Sequence, residues 1–173
     1  MQKNIFYFLL LIAAPLVFAQ CTDKMYQTKT DEKGGTVYVG KGDQQVFYDH
    51  DDLYWFRSGF EDYKPNNDTI KELKKWKNDI YFVVFAGTWC DDTKDLVPKF
   101  YKAASEAEFT TKEVTLYLVD RDKKSADGTA QLLHIDKVPT IVVFRSGRMI
   151  GRIEETVSKP IEQVILDLVK TTW

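Results

Sequence analysis

The sequence contains two thiols, Cys21 and Cys90, and they sit in opposite settings. Cys90 follows an unbroken run of apolar and aromatic residues from Ile80 to Phe85, then a small-residue loop, then Trp89. An amphipathic segment starts directly after it. The pattern is that of a buried strand delivering a thiol to the first turn of a helix. At that position the sulfur faces unsatisfied backbone N–H groups and the positive end of the helix dipole, both of which favour thiolate over thiol. Asp91 and Asp92 oppose the charge as neighbouring carboxylates, although as first-turn acids they also stabilise the helix. Thr93, one turn on, is placed to donate its hydroxyl to the Cys90 sulfur. Such a thiol can form a mixed disulfide or accept oxidation to sulfenic acid. Thr93 cannot resolve the product, so an external thiol must.

Two other groupings invite a chemical reading. Asp49-His50-Asp51-Asp52 places carboxylates beside an imidazole, but adjacent residues rarely converge on one centre, and acids are favoured where a helix begins. A helix start is the preferred reading, and no metal site or cofactor is expected. His134 as a base for Cys90 would make a cysteine hydrolase. It sits instead at the end of a short predicted helix before Ile135.

The chain of 173 residues, with 44% hydrophobic and 14% aromatic residues, supports one core. Its 24 basic and 26 acidic residues are mixed along the sequence with no basic block, which argues against nucleic acid as a partner. Residues 1–19 read as a signal peptide, with Lys3 before an apolar run through Val17. The run is shorter than the roughly 20 residues of a spanning helix. Export to the periplasm or beyond is therefore expected. The residues Val17-Phe18-Ala19 favour ordinary cleavage over lipid attachment at Cys21, and a membrane partner is expected only if Cys21 is lipidated. Two cysteines, one of them at the extreme N-terminus, do not read as a structural staple. Cys21 as a resolver of Cys90 would require a long loop to close onto one small site.

Residues 20–35 are polar and read as a flexible lead-in, and residues 36–78 as an N-terminal extension packing on a domain at 79–173. Within the extension, Thr36 to Val39 and Gln45 to Tyr48 read as short strands in a hairpin, and Asp52 to Phe60 as a helix. Tyr63 to Asn67 reads as a turn before a helix capped by Asp68 or Thr69. The domain follows a βαβαββα order: a strand at Ile80, a helix from Cys90 to about Ala107 carrying Pro98, and a strand at Val114 to Val119. A short helix at Thr129 to His134 comes next, then a strand pair at Ile141 to Ile153. A helix with Ser158 as cap and Pro160 in its first turn closes the domain.

These residues resemble the thioredoxin-like family over about Ile80 to Lys170. The shared features are a hydrophobic strand ending in Gly87-Thr88-Trp89-Cys90, Lys94, Pro98, the Val138-Pro139-Thr140 loop, and a hairpin from Phe144 to Gly147. The resemblance implies an α/β thioredoxin-like fold, a central mixed β-sheet flanked by helices, here with an N-terminal extension. It also implies a cis-proline at Pro139 beside Cys90, where the backbone of Val138 or Thr140 is offered to an extended substrate. Trp89 either contacts that substrate or packs over the loop. The family's second cysteine is replaced by Thr93, and Val84 stands where a buried acid is usual. The sequence also resembles a bacterial exported subgroup with Trp-Cys-x-Asp-Ser or Thr, whose aromatic pair is matched by Phe100-Tyr101.

The implied function is monothiol thiol–disulfide exchange, or reduction of oxidised cysteines, through Cys90. The expected partners are protein or low-molecular-weight thiol substrates and an external thiol reductant. The alternative is a non-catalytic thioredoxin-fold module that binds a peptide or protein.

Overall fold

The computed structural model describes residues 25–171; the signal-peptide reading of residues 1–19, and Cys21, fall outside them. The chain runs β1 (Tyr26–Thr30), β2 (Thr36–Gly42), α1 (Val46–Asp49), a 3-10 turn (Asp51–Leu53), α2 (Tyr54–Asp62), α3 (Asn67–Lys74), β3 (Ile80–Ala86) and α4 (Asp91–Glu106). It continues with β4 (Val114–Leu118), α5 (Thr129–Leu132), β5 (Thr140–Arg145), β6 (Arg148–Glu154) and α6 (Ile161–Thr171). From Ile80 onward this is the order expected from the sequence.

The six strands form one sheet in the order β1-β2-β4-β3-β5-β6. β3 and β4 are parallel, and the remaining neighbours are antiparallel. β3 lies in the middle, buried on both faces apart from Tyr81, which is why its sequence is a continuous apolar run. Phe82, Val84 and Ala86 point to the side on which α2, α3, α4 and α6 pack, while Val83 and Phe85 point to the side covered by α5 and the adjoining loops. Phe47 and Phe56 stack at 4.3 Å on the first side, with Tyr101 across from them. Full burial of side chains of this size stabilises the fold by about 1.5–3 kcal/mol each.

The N-terminal region departs from the sequence reading in three places. Residues 26–30, expected within a lead-in, form β1, an edge strand that pairs in full register with β2. Gln45 to Tyr48, read as β, instead lead into and form α1. Asp43 accepts the Gln45 amide at 2.8 Å, and Gln45 and Asp49 bond one turn apart, so local side-chain bonds outweigh the β propensity of Val46-Phe47-Tyr48. The partner of β2 on that side is therefore β1 rather than a strand at Gln45. Consequently β1 and β2 are strands of the sheet itself, with β2 paired to β4.

The cap of α3 is Asn66, whose side chain accepts from Asp68 and Thr69 amides, in place of the expected Asp68 or Thr69. The first helical bonds of α6 go to the Pro160 carbonyl from Gln163 and Val164, which puts Pro160 just before the helix. Glu162 is 1% exposed and ties α6 to the α2–α3 corner. It accepts the Tyr63 hydroxyl at 2.7 Å and the Asn66 amide at 2.8 Å.

The side chains of the Asp49 to Asp52 segment diverge. Asp49 pairs with Gln45, the His50 ring meets the Tyr26 hydroxyl, Asp51 faces Arg57, and Asp52 accepts from Tyr38. Asp51 and Asp52 open the 3-10 turn without a side-chain cap. Among the described residues no cluster of His, Cys, Asp or Glu is arranged to hold a metal ion. No helix among them is long and apolar enough to cross a membrane.

Candidate functional site

Adjacent antiparallel strands bring the site together. Phe85 of β3 pairs with Thr140 of β5, so the turn that leaves β3 and the loop that enters β5 meet at one end of the sheet although they are about 50 residues apart. In the turn, the Cys90 amide bonds the Gly87 carbonyl at 2.9 Å. Cys90 is extended, with φ −94° and ψ 130°, and occupies the N-cap of α4. Its carbonyl receives the first helical bond, from Lys94. The half-buried thiol donates to the Val138 carbonyl at 3.1 Å.

The Val138–Pro139 peptide bond is cis. Val138, Pro139 and Thr140 are all buried. The Thr140 hydroxyl donates to the Lys137 carbonyl at 2.8 Å, and the Pro139 carbonyl receives the Glu155 amide. Of the backbone carbonyls here, that of Val138 faces the sulfur.

Trp89 is half-buried beside the thiol. Its indole N–H donates to the Val119 carbonyl at 3.2 Å, and the Arg121 guanidinium lies 5.0 Å from its ring centroid. Gly87 makes room for the ring, since a Cβ there would stand 2.7 Å from the indole. The glycine is thus required by a close approach rather than by its backbone angles.

Asp91 points outward and pairs with Lys94 at 2.7 Å; that hydrogen bond holds its carboxyl below the usual carboxylate range. Asp92 is half-buried. Thr93 is fully buried, and its hydroxyl has no hydrogen-bond partner among the described residues. The expected bond from Thr93 to the Cys90 sulfur is therefore not formed. The thiol, a donor while protonated, has turned to the stronger oxygen acceptor on Val138, leaving the Thr93 hydroxyl enclosed in the first turn of α4. Thr88, two residues before Cys90, also has a buried hydroxyl without a partner among the described residues.

His134 is exposed, in left-handed backbone conformation, and its carbonyl receives Arg152. The thiol partner is Val138, so the hydrolase arrangement is not present. The structure brings together Cys90, Trp89, Val138 and Pro139, and adds Val119 and Arg121. Those two carry no local signature in the sequence, because a carbonyl and a loop arginine become part of the site only when β4 is placed beside β3.

The family model described as Thioredoxin matches residues 64–167. Protein disulfide isomerase-like 1-1 of Arabidopsis thaliana is 32% identical over 71 residues, which is 41% of this chain and 14% of that protein. The chain thus spans about a seventh of the curated relative that it matches. A crystal structure of a protein of unknown function from Pseudomonas aeruginosa is similar with a TM-score of 0.50 and 16% identity, covering 75% of this chain and 80% of that one. Oxidised thioredoxin O2 of Arabidopsis thaliana matches with a TM-score of 0.39 and 17% identity, covering 62% of this chain and 85% of that one.

Proposed function

The chain belongs to the thioredoxin family, and on that premise we propose that it is a monothiol member that carries out thiol–disulfide exchange through Cys90. The observation that supports this most directly is the Cys90 thiol held at an N-cap, half exposed, 3.1 Å from the Val138 carbonyl of the cis-proline loop. In the exchange step the Cys90 thiolate attacks one sulfur of a substrate disulfide. A Cys90–substrate S–S bond forms, the substrate S–S bond breaks, and the second substrate sulfur leaves as thiolate. An external thiol then attacks the mixed disulfide, restores Cys90 as thiolate and carries the substrate sulfur away in a new disulfide. Thr93 has no thiol to compete for that role.

Loss of the thiol proton removes the hydrogen bond to Val138 and places two electron-rich atoms face to face. The sulfur then gains by turning to a donor, and the enclosed Thr93 hydroxyl is one with no other partner among the described residues. The Val138 carbonyl is freed at the same moment to accept from an extended substrate segment.

A second reading, a non-catalytic module that binds a peptide in the Pro139 groove, is favoured by the same thiol being engaged with the Val138 carbonyl. Incubation with a glutathione-linked reporter peptide separates the two. Exchange predicts a Cys90 adduct in the mass spectrum, absent in Cys90→Ser, and two-cysteine turnover gained in Thr93→Cys. Peptide binding with a thiol slower than free cysteine would sink the exchange reading and favour the binding module. The proposal includes export, and the mass of the mature N-terminus distinguishes cleavage after Ala19 from lipid attached to Cys21.

A further inference from the structure

The β1–β2 turn begins with a carboxylate that makes more bonds than a turn requires. Asp31 Oδ1 accepts the Lys33 and Gly35 amides at 2.9 and 2.8 Å, which is all that an Asx turn needs. Its Oδ2 accepts Arg121 Nε at 2.8 Å and Nη2 at 2.5 Å, across 90 residues of sequence. The Asp31 side chain is only 7% exposed although most of the turn around it is open to solvent. The Arg121 hydrogen bond, followed by that from Gly35, keeps its carboxyl below the ordinary carboxylate range.

The guanidinium fixed in this way is the one that lies 5.0 Å from the Trp89 ring centroid. Two residues earlier on the same segment, the Val119 carbonyl holds the indole N–H. The segment that leaves β4 therefore grips Trp89 at two points, and the β1–β2 turn fixes one of them. Only an arginine can present a planar fork to Asp31 and remain seated over an aromatic ring; a lysine keeps the charge and loses the fork.

We propose that Arg121, clamped by Asp31, is a positioning residue for the Cys90 site, acting through Trp89 to fix the indole surface on which a disulfide-bearing peptide docks. This role rests on the exchange reading above. Arg121 touches neither the sulfur nor the reacting disulfide in this account. Its effect is on docking and not on the intrinsic reactivity of the thiol.

The test compares two probes on the full chain: iodoacetamide, which needs no docking surface, and a decapeptide joined to glutathione by a disulfide. In Arg121→Gln and Asp31→Asn, alkylation of Cys90 should stay within about twofold of the wild type, while the peptide adduct forms roughly 3- to 10-fold more slowly. Asp31→Asn keeps the turn acceptor, so it isolates the clamp from the hairpin. Arg121→Lys should fall between Arg121→Gln and the wild type. In a Trp89→Ala background, Arg121→Gln should add no further loss, because both changes act through one ring. An unchanged peptide rate in Arg121→Gln overturns the positioning role. So does a loss that persists in full without Trp89, or an equal loss with both probes. No peptide adduct in the wild type overturns the exchange reading and takes the positioning role with it, which separates the two failures.

Discussion

Thr93→Val is the sharpest single substitution for the site. Valine matches threonine in shape and in its branching at Cβ, so the first turn of α4 and the packing around position 93 are retained. What disappears is a hydroxyl that is fully buried and has no partner among the described residues. Leaving such a group unsatisfied costs about 1–3 kcal/mol. Removing it should therefore stabilise the protein by about 1–2 kcal/mol, equivalent to a melting temperature higher by about 2–8 °C for a chain of this size. The same change takes a hydroxyl donor away from the deprotonated sulfur. A hydrogen bond to an ionised group is worth about 1.5–3 kcal/mol, and about 1.4 kcal/mol is a tenfold change in rate, so peptide-disulfide exchange should slow roughly tenfold. Urea and thermal unfolding under reducing conditions measure the first effect, and stopped exchange reactions resolved by mass measure the second. Thr93→Ser, which keeps the hydroxyl and deletes a methyl, should show the opposite pair: lower stability and nearly native exchange. A Thr93→Val protein less stable than the wild type would refute the reasoning, since it would mean that the hydroxyl is satisfied, for instance by an enclosed water.

Three further outcomes follow from the geometry. Glu162→Ala leaves the Tyr63 hydroxyl and the Asn66 amide without their acceptor and should destabilise the fold by about 2–4 kcal/mol in urea unfolding, with Cys90 chemistry intact in the folded fraction. Gly87→Ala drives a Cβ into the Trp89 ring and should cost about 1–3 kcal/mol, with loss of the near-ultraviolet circular dichroism of that indole; an unchanged spectrum would contradict the close approach. For Asp127, burial alone would raise the carboxyl, but bonds from the Thr129 amide, Ser125 and Tyr117 outweigh it and hold the group below its ordinary range. A lowered folded-state value means that its stabilisation is present above about pH 4 and is lost as pH falls through the folded value. Asp127→Asn should therefore narrow its stability gap from the wild type as pH drops from 5 to 2, and a constant gap across that range would contradict the assignment.

Much of the fold and part of the site were legible in the residues. Ile80 to Phe85 could be read as a central strand because it is buried on both faces and needs no polar alternation, and the turn to Cys90 followed from the small residues after it. Pro139 and the strand after it were equally visible, and Cys90 does meet the Val138 backbone. β1 escaped notice because an edge strand spends most of its residues on solvent: Gln27, Thr28, Lys29 and Thr30 are all exposed, so composition reads as a polar lead-in. α1 was misread because three β-prone residues outweighed, on paper, a turn held by the Asp43 side chain just before the helix. The direction of the Cys90 thiol depends on a carbonyl 48 residues away, and the Asp31–Arg121 clamp joins turns 90 residues apart. Neither leaves a periodicity or a spacing to detect.

The tie at Glu162 has a consequence for the order in which the protein is made. The groups it binds, at Tyr63 and Asn66, leave the ribosome about 100 residues before their acceptor does. Until the last helix is synthesised, the corner between α2 and α3 presents a hydroxyl and an amide to water and an apolar seat for α6 that is still vacant. The corner closes only when α6 packs against it, so these two hydrogen bonds form late in the order of synthesis. One buried carboxylate thus couples the α2–α3 corner to a helix made about 100 residues later.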